Sequence, residues 1–228
     1  LFGQHRMYST DFMLEKRTKS EVLIPKRKTF TDIETMQVYL ENHDNTVAIH
    51  RGSCFIIPTD KYIQYERRSP DIHLDSPLIF DLDANDYSKI RTCGCGEEKK
   101  VCDVCWGEYL VPAARIIINT CNMMGFKQVL IVYSGRRGMH IYFFDERAWT
   151  LLPEQRKSIC QRIQLQGVQL DDKVTFQKGH LAKLPLSIHP DTGNICCPID
   201  LDVFLPDRDA IHYGLVTKEK IEEWLSLI

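Results

Sequence analysis

No stretch of this sequence approaches the ~20 consecutive apolar residues that a membrane-spanning helix requires. The opening LFGQHRMYSTDFM also lacks the long apolar core of a secretory signal. Both absences point away from a membrane-bound or exported protein, and with Leu1 first the true N-terminus is expected to be either cut away or missing from this sequence. Net charge is nearly lacking too, at -2 from 29 Lys and Arg against 31 Asp and Glu. No global field therefore marks a polyanion partner, and any such binding must use locally clustered bases. There is no internal repeat and no low-complexity tract. What remains is ordinary for a soluble globular chain, with 228 residues, 43% of them hydrophobic and 26% charged. The length suits one domain over 1–228, with a small insertion at 92–106.

Cysteine is what the chain has in plenty. There are nine, an odd number, and Cys93, Cys95, Cys102 and Cys105 fall within thirteen residues. That clustering argues against a disulfide framework and for a metal site in a reducing compartment. Two close thiolate pairs, with Gly94 and Gly96 allowing tight turns, fit a tetrahedral, closed, structural zinc site. The bland alternative is four unrelated reduced thiols.

Along the chain, the first 45 residues read as polar, with basic patches at Lys16, Arg17, Lys19 and at Lys26, Arg27, Lys28. Helical spacing is expected over 29–42, and a strand over 47–57 interrupted at Arg51-Gly52-Ser53. Residues 65–76 read as a loop. A strand follows Pro77, and 92–105 has no periodicity. Apolar residues return at helical spacing over 106–124, where Pro112 delays or kinks the helix and Gly125 caps it. Strands are expected at 129–133 and 139–144 around a tight turn. A turn and a short strand are expected over 188–198, and an amphipathic helix at 217–228 with Ile221, Trp224, Leu225 and Ile228 on one side. Trp106, Trp149 and Trp224 read as core or surface anchors, and Cys196 and Cys197 as small apolar fillers.

The strand LIFDLDAND raises a specific question, because Asp81 and Asp83 interrupt an otherwise apolar run. Residues i and i+2 of a strand share a face, so both carboxylates project together. Two like charges at that spacing are costly to bury, and a divalent cation removes the cost. Carboxylates combined with substrate phosphates describe magnesium or manganese chemistry. Alternatively the pair sits at a strand end and faces water. Asp200 and Asp202 repeat the spacing on another expected strand, and spacing alone does not exclude them. The turn Ser134-Gly135-Arg136-Arg137-Gly138-Met139-His140 combines backbone N–H groups brought close by glycine with two guanidinium forks for phosphate oxygens. A solvated hairpin tip is the competing reading. Asp171 and Asp172 precede Lys173, Lys178, His180, Lys183 and His189. A third carboxylate there suits a metal site and the bases suit a triphosphate tail, although the segment read alone is a charged loop with a strand.

In this order the motifs resemble the catalytic small subunit of archaeal and eukaryotic DNA primases. LIFDLDANDY resembles that family's first metal motif and runs directly into the cysteine cluster. Tyr133–His140 resembles its nucleotide motif. Leu170-Asp171 and the run KLPLSIHPDTG at 183–193 resemble its third-carboxylate and triphosphate motifs. The likeness is dense from about 78 to 200. It implies an α/β (α+β) fold on a mixed or antiparallel sheet with an inserted zinc knuckle. Asp81, Asp83 and Asp171 would hold two Mg2+ or Mn2+ ions, and the four cysteines structural Zn2+. Ser134, Arg136, Arg137, His140, Lys183 and His189 would bind the nucleotide. The implied activity is a nucleotidyltransferase, a DNA primase that makes short RNA primers on single-stranded DNA from nucleoside triphosphates. The implied partners are a large primase subunit and, in eukaryotes, the polymerase alpha complex. The compartment would be the nucleus, an archaeal cytoplasm or a viral replication site. A primase-polymerase or an end-joining repair polymerase keeps the same chemistry, and a non-catalytic zinc-stabilised nucleic-acid-binding module is a more distant alternative. The chain departs from the family in three places. Arg6-Met7-Tyr8 lacks the acid of an Arg-Glu-Phe-like stretch, Lys26 and Arg27 compete for one basic role, and only about thirty residues separate His140 from Asp171.

Overall fold

The computed structural model describes residues 9–17, 23–30, 32–43, 46–55, 76–95, 101–176 and 182–227. Two antiparallel sheets organise it. The first has four strands in the order β2–β1–β3–β7, formed by β1 (Ser9–Arg17), β2 (Leu23–Phe30), β3 (Thr46–Phe55) and β7 (Ala182–Lys183). The second has three strands in the order β4–β6–β5, formed by β4 (Leu78–Asp83), β5 (Val129–Tyr133) and β6 (Gly138–Phe143).

The strands β1 and β2 replace the expected polar, basic start. Their charges and Pro25 mask the alternation, and the structure tolerates Pro25 because β2 lies at the edge of its sheet, where a missing N–H breaks no ladder on the outer side. The expected interruption at Arg51-Gly52-Ser53 is a bulge in a continuous strand. Between the pairs Thr10↔Cys54 and Phe12↔Arg51, β3 carries one more residue than β1. Helix α1 (Ile33–Glu41) begins where Asp32 accepts the Thr35 N–H, so the expected span of 29–42 shortens at both ends. Arg6-Met7-Tyr8, all but Ser76 of the loop expected over 65–76, Lys178 and His180 lie outside the described residues.

Over 106–124 the helix forms in two pieces. A π-turn over Trp106–Leu110 leads into α2 (Val111–Met123), with Pro112 in the first turn of the regular helix. Proline has no N–H to donate and crowds the preceding turn, which a wider turn accommodates. Gly125 follows the C-cap with φ +88°. Helix α3 (Pro153–Gln164) buries Arg156, Ile159, Cys160 and Ile163 on one stripe, and α4 (Asp172–Phe176) packs beside β4, with Thr175 Oγ1 donating to the Ile79 carbonyl at 2.6 Å. Helix α5 (Lys218–Leu225) starts at a Thr217 cap, but its expected apolar side does not close. Trp224 is buried, whereas Ile221 and Leu225 are exposed. No described helix is long and apolar enough to cross a membrane.

Strand β4 is buried on both faces, which is why it reads as a nearly continuous apolar run. Leu78, Phe80 and Leu82 enter the main core with Trp106, Ile117, Met139, Ile141 and Phe143. Ile79 turns the other way, into a smaller cluster with Val132, Tyr142, Ala182 and Cys196. Ala182 belongs to β7, so this second face of the three-stranded sheet looks toward the end of the other sheet.

Candidate active site

The Ile79 face of β4 continues through Asp81 and Asp83. In the β4–β6 register Asp81 stands opposite His140, Leu82 opposite Met139, and Asp83 opposite Gly138. The carboxylates therefore extend an apolar face at the point where it opens. Asp81 keeps 28% and Asp83 31% of their side-chain surface exposed. Burial pushes Asp81 up to about 7 from the ordinary carboxylate range, and the charges of Asp83, Asp86 and Asp171 push the same way. Lys183 opposes them. Asp86, in the 3-10 turn Ala84–Tyr87, is raised by burial and by Asp83 and Asp171. It is a fourth acid of this group that sequence reading missed, because a turn residue three beyond Asp83 carries no strand periodicity.

Asp83 has the best-defined contacts. Its Oδ2 accepts from Arg137 Nη2 at 3.0 Å and Nε at 3.2 Å, while Oδ1 accepts the Asn85 N–H at 2.8 Å. His140 Nε2 lies 3.6 Å from Asp81 Oδ1. That contact would be an ion pair only with a protonated imidazole, and burial, with Lys183 and His50, lowers His140 to about 4. The ring is neutral at pH 7, and the contact is dipolar. Asp171 stands just before α4, exposed, and reaches Asp81 and Asp86 through its charge. Among the described residues the acids do not draw together as tightly as the four cysteine sulfurs do.

The arginine turn is held from several sides. Ser134 closes it, donating its N–H to the Gly138 carbonyl at 2.9 Å and accepting the Gly138 N–H on Oγ at 3.2 Å. The Arg136 carbonyl accepts from Tyr133 Oη at 3.1 Å and from the Val101 N–H at 3.4 Å, and the Arg137 carbonyl accepts the Ala84 N–H at 3.1 Å. Gly138 is fixed by space, since a Cβ there would sit 1.9 Å from the Leu82 carbonyl oxygen. Only glycine lets β6 begin directly against the strand that carries the acids.

Residues 184–196 form the opposite wall. Pro185 and Leu186 make a turn in which Ser187 N–H bonds the Leu184 carbonyl at 3.0 Å, and Leu186 has φ +67°. This is left-handed backbone on a side chain that disfavours it by ~1–2 kcal/mol. The expected short strand over 188–198 reduces to single bridges, Ile188↔Ile195, Asn194↔His212 and Val132↔Pro198, because the chain turns back at once through 189–193. Lys183 ends β7 opposite His50, and its carbonyl accepts from Tyr142 Oη at 2.9 Å. His189 accepts the Asp191 N–H on Nδ1 at 3.3 Å, which leaves the ring proton on Nε2. Burial, then Lys183, lowers His189 to about 4, so it too is neutral. Asp191 Oδ2 receives Arg136 Nη1 at 2.5 Å. Contacts and mutual charge thus link these residues: Asp83 with Arg137, Asp81 with His140, Asp171 and Lys183 with Asp81, and Arg136, Arg137 and Lys183 with His189, while Ser134 closes the arginine turn.

Asp200 and Asp202 do not join them. They lie in a turn, not on a strand, because Asp200 Oδ1 captures the Asp202 N–H at 2.9 Å and diverts the chain from a ladder. Asp202 pairs instead with Arg115. Asp172 begins α4 and Lys173 follows it, and the side chains of both lie outside the described set.

The four cysteine sulfurs lie within 4.8 Å of one another. Contacts are 3.0 Å for Cys93–Cys95, 3.7 Å for Cys95–Cys105 and 3.6 Å for Cys102–Cys105. A tetrahedron of ~2.3 Å zinc–sulfur bonds places sulfurs roughly 3.8 Å apart, so the set fits that ion. Cys105 is buried, and the neighbouring Val101 N–H is the one that reaches Arg136.

The fold is shared with a solved polymerase domain. The polymerase domain of Mycobacterium tuberculosis Ligase D, solved in complex with DNA, superposes with a TM-score of 0.60 over 97% of this chain and 83% of that one, at 15% identity. The sequence relatives are narrower. Residues 80–168 match the DNA primase small subunit family. The Schizosaccharomyces pombe DNA primase small subunit is 36% identical over 169 residues, which is 71% of this chain and 34% of the relative. The Thermococcus onnurineus small subunit is 35% identical over 115 residues, 50% of this chain and 31% of the relative. The chain is a homologue of the DNA primase small subunits, and it spans about a third of the length of these two.

Proposed function

We propose that this chain carries the catalytic core of a DNA primase, joining ribonucleoside triphosphates into short RNA primers on a single-stranded DNA template. One observation carries the reading. Two acids on one strand face stand directly against a turn bearing two arginines, with a lysine and a neutral histidine on the facing wall. Asp81, Asp83 and Asp171 would hold two divalent cations, Mg2+ or Mn2+. Bound there, such ions supply the positive charge that activates an attacking 3′-hydroxyl and steadies a pyrophosphate leaving group. The chain's own groups do the rest. Arg136, Arg137 and Lys183 bind phosphate oxygens, and His189 donates from Nε2 without adding charge. His140, neutral and opposite Asp81, keeps that carboxylate aimed at the opening, and Ser134 closes the turn that aims the arginines. The four cysteines would hold structural zinc beside the arginine turn. No cysteine acts as a nucleophile.

The homologues are named small subunits, and we infer that this chain also works with a larger primase subunit, and in a eukaryote with the polymerase alpha complex. It would act where DNA is replicated, in a nucleus, an archaeal cytoplasm or a viral replication site. The shared fold favours a second reading, an end-joining repair polymerase, which would require an annealed break where a primase requires none.

Primer synthesis on oligo-dT with radiolabelled ATP and manganese tests the proposal. Short RNA is expected from the wild type and from Asp200→Ala/Asp202→Ala, and none from Asp81→Ala/Asp83→Ala. Product from the Asp81/Asp83 variant would place the chemistry elsewhere. If the wild type makes no product but binds ATP in the presence of metal, initiation depends on the missing subunit.

A further inference from the structure

Two guanidinium groups that should grip phosphate are already engaged by carboxylates. Arg137 is held by Asp83 at 3.0 Å and Arg136 by Asp191 at 2.5 Å. Among the described residues, only Lys183 of the three clamp cations lacks a carboxylate at ion-pair distance. The two pairs open differently. Asp83 lies in the acid group, where a divalent cation would compete with Arg137 for its oxygens. Asp191 lies on the far wall, away from that competition, at the tip of the 189–193 turn. The tip is anchored rather than free: Thr192 Oγ1 donates to the Gly135 carbonyl at 2.7 Å and accepts the Asn194 N–H at 3.1 Å. Asp191 is therefore held beside the clamp whatever occupies the acids.

We propose that Asp191 is a specificity-determining residue that restricts the clamp to the metal-complexed nucleoside triphosphate and rejects the free one. The inference rests on the nucleotide reading of this site. Its basis is charge. Three clamp cations face Asp81, Asp83, Asp86, Asp171 and Asp191, so an additional polyanion meets a surplus of acid. A free triphosphate brings about four negative charges and its complex with one divalent cation about two, so a fixed carboxylate penalises the free form more. The complex also supplies the cation that frees Arg137 from Asp83. Binding of metal and nucleotide becomes coupled through Arg137, which Asp83 holds until a divalent cation would take its place.

Equilibrium ATP binding in Mn2+ and in EDTA, compared for the wild type and Asp191→Asn, tests this. Asn keeps the shape and removes the charge, and with the Asp191 side chain 53% exposed the fold should survive. In EDTA the variant is expected to bind ATP about three- to fivefold more tightly than the wild type, the scale of one partly exposed charge pair. In Mn2+ the gain should be smaller, so that the ratio of the two dissociation constants narrows. An unchanged ratio, weaker binding by the variant in EDTA, or no binding by either protein in EDTA overturns the role of Asp191 while leaving the site intact. Absence of ATP binding by both proteins even in Mn2+ sinks the nucleotide reading itself, and the inference with it.

Discussion

At the scale of single residues, the site depends on positions where a small chemical detail has no substitute. Gly138 is the clearest. Alanine there would drive a methyl into the Leu82 carbonyl, and the strands would part at Asp83. Gly138→Ala should cost about 1–3 kcal/mol by denaturant unfolding. ATP binding should fall further than stability alone explains, because the displaced strand end carries Asp83. A variant as stable as the wild type would show that the strands can slide apart there freely. Asp81 gives a prediction of opposite sign. Its folded value of about 7 lies above the ordinary 3.8, so its contribution to stability is complete below about 4 and is lost as pH rises through 7. Asp81→Asn should therefore come nearest the metal-free wild type at about pH 4 and exceed its melting temperature by a margin that widens up to pH 8. Equal melting curves at pH 8 would mean that the carboxylate is already neutralised. These residues were partly legible in the sequence. The spacing of Asp81 and Asp83, and the glycines around two arginines, gave away the acids and the turn. Asp86 and Asp191 were hidden, since each sits in a loop and gains its role only from what the fold sets beside it.

At the scale of elements, legibility followed burial. Strand β4, buried on both faces, and β5 and β6, paired beside it, announce themselves as apolar runs. Helix α3 does not, because one of its inward positions is Arg156. That guanidinium is buried and donates to the carbonyls of Leu151, Pro77, Ser76 and Ala148, which satisfies it without a hydrophobic signature. The strands β1 and β2 were masked by the charged residues in their sequence, and α5 promised an apolar side that only Trp224 fulfils. The cysteine segment was plain from spacing, but its mechanical connection was not. Through Val101 it touches the Arg136 carbonyl, and through Asp103 it exchanges two hydrogen bonds with Asp207, each backbone N–H donating to the other's carboxylate at 3.1 and 2.9 Å. Stripping metal from the four cysteines should therefore loosen more than its own segment. Amide exchange should quicken at Val101 and across 134–138, and ATP binding should weaken. Unchanged exchange in the arginine turn would show that the two elements are independent.

At the scale of the whole molecule, pH acts on the site from two directions. His140 and His189 are lowered to about 4 from 6.5, so their contribution to stability is present above 6.5 and is lost as pH falls toward 4. Asp81 works the other way toward 7, and stability of the metal-free chain should peak near neutrality. The architecture that brings these groups together has a further consequence, in time rather than in energy. Asp83 meets Arg137 across 54 positions of sequence and Arg136 meets Asp191 across 55. Contacts of such separation form only after long loops have closed, so they belong to the later stages of folding. A chain still emerging from the ribosome has its acids long before it has the wall that faces them. Such an intermediate lacks the facing wall, and the proposed nucleotide site arrives all at once, with the closing of the last strands.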